Sequence, residues 1–334
     1  MSNWKDGLKA DSTDWLLENE NPSVRCFTLK DILDKPEEDE QIQTARRDIM
    51  QTGLVPEILQ LQKEPFYLQA YPRFYTNKYK GLVWQLIVLA ELGASANPQI
   101  MEQCEYILNN SQDKNGGFSQ HASARLGGGL QSEAIPCLTG NMVWSLIRLG
   151  YLDDLRVQKG IDWIIRYMRL NDGIEENPQQ APYEHYEMCW GAHTCHMGVV
   201  KALKALGAIP EEKRTGPIQD MIEKCAEFML MHHVYKRSHN LIRVSKPGWL
   251  KFGFPLMYQT DTLEILDILT ELGILDSRMD EAIAVVLTKQ DDMGRWRVEN
   301  TYGSDRLLIP IGQKDEQSKW ITLRAMRVLN RYYK

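Results

Sequence analysis

The segment Leu82–Gly93 reads LVWQLIVLAELG, a nearly continuous apolar run that ends in Leu-Gly. Glycine is preferred just after a helix because it adopts the left-handed conformation at little cost, and asparagine is its usual substitute. The run therefore predicts a buried helix that stops at Gly93. The same Leu-Gly or Leu-Asn ending closes further apolar segments at Gly150, Gly207, Gly273 and Asn330.

These endings recur at nearly constant spacing, with one longer interval between Gly207 and Gly273, which indicates a repeat. Each of the first four apolar segments is followed by an amphipathic one, such as Val157–Met168, with apolar residues at i, i+3, i+4 and i+7. Val24–Leu33 supplies a sixth apolar helix. The chain ends on an apolar helix without a partner, and Ser12–Glu18 near the start can pair with it, which favours a closed ring over an open solenoid.

The sequence thus predicts an all-α fold, an (α/α)6 toroid with a period of about 57 residues, in which helical hairpins form a single domain over residues 1–334. No stretch shows the sustained alternation of a β-strand. The inner helices are expected at about 22–34, 81–93, 139–150, 195–207, 261–273 and 318–331.

Composition narrows the class of protein. The chain of 334 residues is 43% hydrophobic and 25% charged, as is typical of globular proteins. No apolar run approaches the roughly 20 residues of a transmembrane helix, and the N-terminus lacks the order of a signal peptide, so a cytoplasmic protein is expected. The net charge of −6 argues against general nucleic-acid binding.

Two loops share the pattern Gln-x-x-x-Gly-x-aromatic, in phase with the helix repeat. They are Gln112–Phe118, QDKNGGF, and Gln290–Trp296, QDDMGRW. The glutamine amide can bond neighbouring helix ends, the glycine allows a tight turn, and the aromatic ring packs on the adjacent repeat. The pattern therefore predicts loops that join one repeat to the next.

With this pattern the chain resembles the prenyltransferase and squalene-oxidase repeat superfamily, which includes class II terpene cyclases, protein prenyltransferase β subunits and lanthionine cyclases. The resemblance extends from Trp15 to Tyr332. The phrases FGFPL at 252–256 and SKWITLR at 318–324 are similar to those of stand-alone bacterial and archaeal repeat proteins. The resemblance to the superfamily implies a terpene cyclase-like or prenyltransferase-like enzyme, which binds an isoprenoid-like, hydrophobic substrate in a central cavity.

The acid of class II cyclases is missing. Those enzymes protonate their substrate with the middle aspartate of Asp-x-Asp-Asp-Thr-Ala. The counterpart here is Gln259–Glu264, where Asp261 and Thr262 fit the end of the motif but Thr260 stands at the position of the acid. A hydroxyl is too weak an acid for this step, so the standard protonation mechanism is not expected.

Other members of the superfamily hold a zinc ion, and the segment 185–196, HYEMCWGAHTCH, offers several ligands for one. Cys195 and Asp261 lie at the same distance before the glycines that end their helices, and Cys137 lies one position further from its own. The three residues are therefore expected at the same level along the ring axis, at the starts of three consecutive inner helices. The predicted metal ligands are Cys195, Asp261, His193 and Cys189. The predicted catalytic residues are Asp261, Cys195 and Cys137.

Alternatives remain open at this site. The cysteines can be small buried residues and Asp261 a helix cap. Without a metal, the same thiols with Asp261 and a histidine can serve a dehydratase or isomerase. A non-catalytic repeat scaffold that binds a ligand or a partner protein is a further alternative. The sequence specifies neither substrate, product nor oligomeric state.

Aromatic and basic residues suggest how a substrate is held. Aromatic side chains near the starts of inner helices are expected to line the cavity and bind an apolar substrate, namely Trp84, Trp144, Trp190, Phe254, Tyr258 and Trp320. The basic stretch 236–251 lies in the long interval between Gly207 and Gly273. It is either a diphosphate-binding segment or a solvated loop.

Overall fold

The computed structural model describes residues 4–125, 127–176, 178–303 and 305–334. These residues form mainly α-helices, numbered here in chain order: α1 (Thr13–Leu16), α2 (Pro22–Asp31), α3 (Glu40–Gln51), α4 (Leu54–Leu61), α5 (Pro65–Leu68), α6 (Leu82–Glu91), α7 (Pro98–Asn110), α8 (Pro136–Arg148), α9 (Leu155–Tyr167), α10 (Glu187–Trp190), α11 (His196–Gly207), α12 (Gly216–Met231), α13 (Thr262–Glu271), α14 (Asp280–Thr288) and α15 (Lys319–Tyr333). Short 3-10 turns lie at Trp4–Gly7, Tyr71–Arg73, Gln131–Glu133, Glu211–Lys213, Pro247–Leu250 and Ser277–Met279.

Six of these helices form the inner layer: α2, α6, α8, α11, α13 and α15. They are buried on almost every side, as α6 shows, in which every residue from Leu82 to Ala90 is buried. Neighbours pack in order from α6 through α8, α11, α13 and α15 to α2. The ring closes where the Phe27 ring of α2 lies against Gly93 after α6. All six helices line one central cavity, so the predicted all-α toroid is confirmed.

The outer layer follows the predicted hairpin pairing. Helix α3 packs on α2, α7 on α6, α9 on α8, α12 on α11, and α14 on α13. The amphipathic pattern of these helices explains their place, because one face is buried on the ring and the other is solvated. The short α1 packs against α2 and α15, so the start of the chain lies at the seam. No helix in the described parts of the chain combines the length and apolarity required to span a membrane.

The first glutamine loop is built as the pattern suggests. Gln112 Nε2 donates to the carbonyl groups of Gly116 and Arg156, at 3.0 and 2.7 Å. Gly116 has a φ of +104°, and a Cβ atom there would lie 2.1 Å from the Lys159 carbonyl oxygen. The buried Phe118 donates its backbone N–H to Thr139 Oγ1 on α8. The loop thus joins the end of α7 to the next repeat.

The second glutamine loop repeats this construction across the seam. Gln290 Nε2 donates to the carbonyl groups of Gly7 and Leu287. Gly294 has a φ of +66°, and a Cβ atom there would lie 1.9 Å from the Ala10 carbonyl oxygen. Trp296 is fully buried and donates its backbone N–H to Thr322 Oγ1 on α15. Both loops therefore have the same mechanical role, whereas their identity with the Gln–Trp motif of the superfamily stays a prediction.

The long interval between Gly207 and Gly273 contains the one β-hairpin within the described residues. Strands β1 (Lys236–Arg237) and β2 (Asn240–Val244) pair in an antiparallel manner after α12. The segment that lengthens the repeat is therefore an ordered extension at the end of the toroid where α11 and α13 begin.

Candidate functional site: the central cavity

The ring encloses a cavity of about 360 Å³. One end of the cavity is lined by Trp144, Trp320 and Glu264, which lie in the middle or at the start of their helices. At the other end the cavity reaches Gly207, the last residue of α11, the three residues that follow it, and Glu271 of α13. The cavity therefore runs along the ring axis towards the C-terminal ends of the inner helices. Its volume is at the lower end of the range for small-molecule sites.

The lining of the cavity is mainly charged. Seven cationic side chains and five carboxylates face it, namely Lys30, Arg148, Lys204, Arg214, Arg324, Arg327 and Arg331, and Asp31, Glu91, Glu264, Asp267 and Glu271. Three aromatic side chains accompany them, those of Phe27, Trp144 and Trp320. The expectation of a cavity lined by aromatic residues and suited to an apolar substrate therefore needs correction, because the inner helices carry charged residues on the face towards the axis.

These charges form a connected network across four inner helices. Lys201 Nζ on α11 donates to both carboxylate oxygens of Glu264 on α13, at 2.7 Å each. Lys204 lies 3.1 Å from Glu264 Oε1 and also pairs with Glu91 on α6. Arg324 on α15 lies 3.3 Å from the same Glu91. Buried charges are tolerated only when they are paired in this way.

The network continues through Asp267 on α13. Its carboxylate lies 3.5, 3.2 and 2.9 Å from Arg324, Arg327 and Arg331 of α15. Arg327 also lies 2.8 Å from Asp31 of α2. One carboxylate thus faces three arginines on the neighbouring helix.

The network fixes the protonation state of its buried carboxylates. Burial by itself would raise the pKa of Glu264, but Lys201, Lys204 and Arg324 outweigh burial and hold the pKa at about 2. Likewise, burial opposes the ionisation of Glu91 and Asp267, yet the cations around each carboxylate keep its pKa below the usual value. These three groups are therefore anionic at neutral pH, and none of them is a proton donor there.

Several donors at the cavity have no acceptor. Arg324 Nη1, Arg327 Nε and Trp320 Nε1 are buried without a hydrogen-bond partner among the described residues. In the same parts of the chain, Arg148 at the end of α8 has no carboxylate partner. Buried donors normally have acceptors, so these groups require acceptor oxygens that an ordered water or a ligand can supply.

The aromatic residues predicted to bind substrate fall into two sets. Trp144 and Trp320 line the cavity, and the face of the Trp144 ring is covered by Lys204 Nζ at 3.9 Å from its centre. Trp84, Trp190, Phe254 and Tyr258 do not line it. Phe254 stacks behind Trp320, with the ring centres 4.3 Å apart.

The other three pack in aromatic clusters of their own. The Trp84 ring lies 6.1 Å from that of Tyr258, and both contact Tyr79. The Trp190 ring packs 5.0 Å from Tyr183 and 5.9 Å from Trp163. Since these indole and phenol rings fill space between helices and loops, they stabilise the end of the ring at which the inner helices start.

Asp261 is an N-cap of helix α13. Its Oδ1 accepts the backbone N–H of Glu264 at 2.8 Å, and its Oδ2 accepts that of Gly253 at 2.9 Å. The side chain is buried, and this burial raises the pKa of its carboxyl group to about 6. Thr260 is buried beside it. Asp261 therefore has a clear capping role, and a catalytic role for it stays a prediction.

The predicted cysteines are near one another, and two of them, Cys137 and Cys189, are poor nucleophiles. Burial, with a smaller contribution from a neighbouring thiol, raises the pKa of Cys189 to about 12 and that of Cys137 well above its usual value. Cys195 is among the neighbours in both cases. All three are free thiols. Buried thiols with raised pKa values are poor nucleophiles at neutral pH.

His193 belongs to a different group. It is two-thirds exposed, and its Nδ1 lies 3.6 Å from Asp172 Oδ1. Both oxygens of Asp261, in contrast, are occupied by backbone N–H groups. Within the described residues, no group of three or more His, Cys, Asp or Glu side chains is arranged to hold a metal ion as it stands. A zinc site formed by Cys195, Asp261, His193 and Cys189 therefore stays a prediction.

The basic stretch 236–251 is separate from the cavity. Lys236 pairs with Glu281, while Arg237, Arg243 and Lys246 are exposed to solvent. None of its residues lines the cavity. The cations at the cavity come instead from the inner helices and their C-terminal ends.

No protein-family profile matches the chain, and no curated protein matches it. Among solved structures it is similar to the type II terpene cyclase MstE from Scytonema, in complex with geranylgeranyl dihydroxybenzoate, with 14% identity over 94% of this chain and 86% of that chain and a TM-score of 0.40. It is also similar to a possible GH105 family member from Salmonella enterica subsp. enterica serovar Paratyphi A str. ATCC 9150, with 11% identity, coverages of 98% and 82%, and a TM-score of 0.43.

A glycosyl hydrolase of family 88 from Bacteroides vulgatus is similar as well, with 11% identity, coverages of 86% and 99%, and a TM-score of 0.36. Identities and TM-scores this low carry no information about substrate or chemistry. The toroid is therefore assigned from the ring of six inner helices around the cavity.

Proposed function

We propose that this protein binds a small amphiphilic anion in the central cavity. The anionic head group lies at the arginines of α8 and α15, and a compact apolar part lies against Trp144 and Trp320. The observation that carries the proposal is Arg324, a residue of the cavity lining whose buried Nη1 has no acceptor in the described parts of the chain. Arginine recognises carboxylate and phosphate groups through several N–H donors at once, which suits it to this task.

The charge balance of the lining supports an anion. Its seven cations exceed its five carboxylates, and the cation Arg148 is without a carboxylate partner in the described parts of the chain. A bare carbocation, in contrast, is disfavoured here, because the face of Trp144 that could stabilise it is covered by Lys204. The ionised state of Glu91, Glu264 and Asp267 also disfavours a reaction that starts with proton transfer from the cavity wall.

An isoprenoid-like substrate fits this proposal when it carries a charged head group, as a prenyl diphosphate does. The fixed cations would stabilise negative charge that develops on such a head group during a transfer reaction. The proposal thus keeps a terpene cyclase-like or prenyltransferase-like enzyme as one candidate. It assigns recognition to the head group and not to the aromatic residues alone.

The test is isothermal titration calorimetry with a panel of ligands that differ in one property at a time. Geranyl diphosphate and geranic acid have a ten-carbon chain and a charged head group, geraniol has the chain without the charge, and inorganic diphosphate has the charge without the chain. We expect at least one charged ten-carbon ligand to bind more tightly than both geraniol and inorganic diphosphate.

Two matched variants locate the site. Arg148→Ala removes an arginine of the cavity, and Arg243→Ala removes an exposed arginine of the basic stretch. We expect Arg148→Ala to weaken binding about tenfold, the effect of one hydrogen bond to a charged group, and Arg243→Ala to leave it unchanged. Binding that depends on Arg243 and not on Arg148, or geraniol binding as tightly as the anions, would overturn the proposal.

A further inference from the structure

The end of the ring at which α11 and α13 begin carries two segments of opposite charge. Residues 170–200, the acidic segment, contain no lysine or arginine, and residues 228–260, the basic segment, contain no aspartate or glutamate. The carboxylates of the acidic segment are those of Asp172, Glu175, Glu176, Glu184 and Glu187, and the cations of the basic segment are those of Lys236, Arg237, Arg243, Lys246 and Lys251. Long stretches with charges of one sign often serve interactions.

The two segments lie side by side. The turn of the β1–β2 hairpin reaches the acidic segment, where Ser238 Oγ donates to the Asp172 carboxylate and His239 Nε2 donates to the Asp172 carbonyl oxygen at 3.0 Å. Next to this contact, the Gly173 N–H donates to the Ala192 carbonyl oxygen at 2.9 Å and closes the loop that carries the four glutamates. The hairpin and this loop therefore form one continuous surface.

Most charges of this surface are unpaired. Lys236 pairs with Glu281 of α14, and Glu175 lies 3.6 Å from Arg169, so neither side chain pairs with the opposite segment. Among the described residues, six charged side chains of the two segments have no ion-pair partner, namely Glu176, Glu187, Arg237, Arg243, Lys246 and Lys251. The two segments thus present charges of both signs that remain available to a partner.

Large apolar side chains are exposed on the same surface. Ile174 and Met188 of the acidic segment are 86% and 87% exposed, and Ile242 and Leu241 of β2 are 95% and 37% exposed. Single exposed apolar residues are ordinary, but a group of them on adjoining segments is typical of an interaction site. An anionic membrane or a nucleic acid would suit the basic segment alone, because the neighbouring carboxylates repel it. A fitting partner offers apolar side chains together with charges of both signs.

We propose that this surface binds a second copy of the chain in a symmetric dimer, in which the basic segment of each protomer faces the acidic segment of the other. A two-fold axis between the segments pairs opposite charges in both halves of the interface, because both copies use the same patch. The two segments expose about 20 residues, as many as each side of a standard interface contributes. The cavity extends towards the other end of the ring, so the proposal is independent of the anion bound there.

The test is sedimentation velocity ultracentrifugation of the full chain over protein concentrations from about 1 to 100 µM, since interfaces of this size bind with micromolar or higher affinity. We expect the wild type to form a dimer. Its dissociation constant should rise at least about tenfold between roughly 0.05 and 0.5 M sodium chloride, because salt screens the charges that face each other.

Two charge-reversal variants test the pairing of the segments. Arg243→Glu/Lys246→Glu changes the basic segment, and Glu176→Lys/Glu187→Lys changes the acidic segment. Each variant alone should dimerise at least about tenfold more weakly than the wild type, because like charges then face each other in both halves of the interface. An equimolar mixture of the two variants should form a heterodimer, because opposite charges meet again in both halves.

Lys213→Glu/Lys224→Glu is the matched control, because it makes the same change in net charge at exposed lysines outside both segments. It should leave the dimer unchanged. The proposal is overturned if the wild type is monomeric at the highest concentration, if the control weakens the dimer equally, or if the mixed variants remain monomeric. A monomer that binds phosphatidylglycerol vesicles, and loses this binding in Arg243→Glu/Lys246→Glu, would overturn it in favour of a lipid surface.

Discussion

Lys201 and Glu264 form a buried ion pair between neighbouring inner helices, with the ammonium group 2.7 Å from both carboxylate oxygens and the side chains 1% and 2% exposed. Removal of one partner leaves a buried charge with less compensation, which costs about 3–5 kcal/mol. We therefore expect Lys201→Met to lower the free energy of unfolding by about that amount, as measured by urea denaturation.

The control for this prediction is Lys224→Met, which breaks the exposed pair with Asp220 on the surface of α12. An exposed pair contributes at most about 1 kcal/mol, so this change should be nearly neutral. The double variant Lys201→Met/Glu264→Leu should recover part of the loss, because it removes both buried charges. Equal effects of Lys201→Met and Lys224→Met would show that the inner pair has no special role.

Acid should destabilise the protein through Glu264. Its pKa is about 2 in the folded protein, against an ordinary value of 4.5. Because the folded pKa is lowered, the stabilisation is complete above the ordinary value and is lost as the pH falls from about 4.5 towards 2. The full loss from this one group is about 3 kcal/mol. Urea denaturation at several pH values should show that the free energy of unfolding falls less steeply with decreasing pH in Glu264→Gln than in the wild type. The same decrease in both proteins would show that Glu264 is not the source of the acid sensitivity.

The glutamine loops require glycine for steric reasons. In Gly116→Ala the new Cβ atom would lie 2.1 Å from the Lys159 carbonyl oxygen, at a φ of +104°. Gly273→Ala has a comparable positive φ of +71°, but no atom lies within 4 Å of its Cβ. We expect the free energy of unfolding to fall by about 1 kcal/mol in the Gly273 variant, from the left-handed conformation alone. In the Gly116 variant it should fall by at least about 3 kcal/mol, because the steric contact is added. Similar losses in thermal or urea unfolding would mean that the contact with α9 does not constrain the loop.

The thiols should react slowly, which bears on the metal-free dehydratase or isomerase. Cys189 is only partly buried, yet burial raises its pKa to about 12, so very little thiolate exists at pH 8. We expect iodoacetamide to alkylate Cys189 at least about a hundredfold more slowly than it alkylates the urea-unfolded chain, with a rate that still rises at pH 10. Rapid alkylation at pH 8 would instead support an activated thiol.

Regular features of the chain made the fold predictable. The glycines that stop the inner helices recur at nearly constant intervals, and the apolar character of segments such as Leu82–Glu91 follows from their burial on all sides. The interpretation of Asp261 as a helix cap also followed from local chemistry, since aspartate accepts hydrogen bonds from backbone N–H groups at helix starts. Features that depend on near neighbours in the sequence are the ones that a single sequence specifies.

The cavity was harder to predict because its contacts join distant residues. Lys201 and Glu264 are 63 positions apart, and Glu91 and Lys204 are 113 apart. A usable indication was nevertheless present, because charged residues such as Glu91 interrupt otherwise apolar inner helices. Such residues are almost never buried unless they are paired. The contact between His239 and Asp172 was hidden in the same way, since the two residues meet only through the hairpin that extends the repeat.

The most direct test of the central claim is a crystal structure of the protein with the tightest-binding anion of the ligand panel. We predict electron density for the ligand in the central cavity, with head-group oxygens within hydrogen-bond distance of the Arg148 or Arg324 guanidinium group and the carbon chain against Trp144 and Trp320. Density at the basic stretch 236–251 alone, or a cavity without ligand when the anion is present at saturating concentration, would contradict the account.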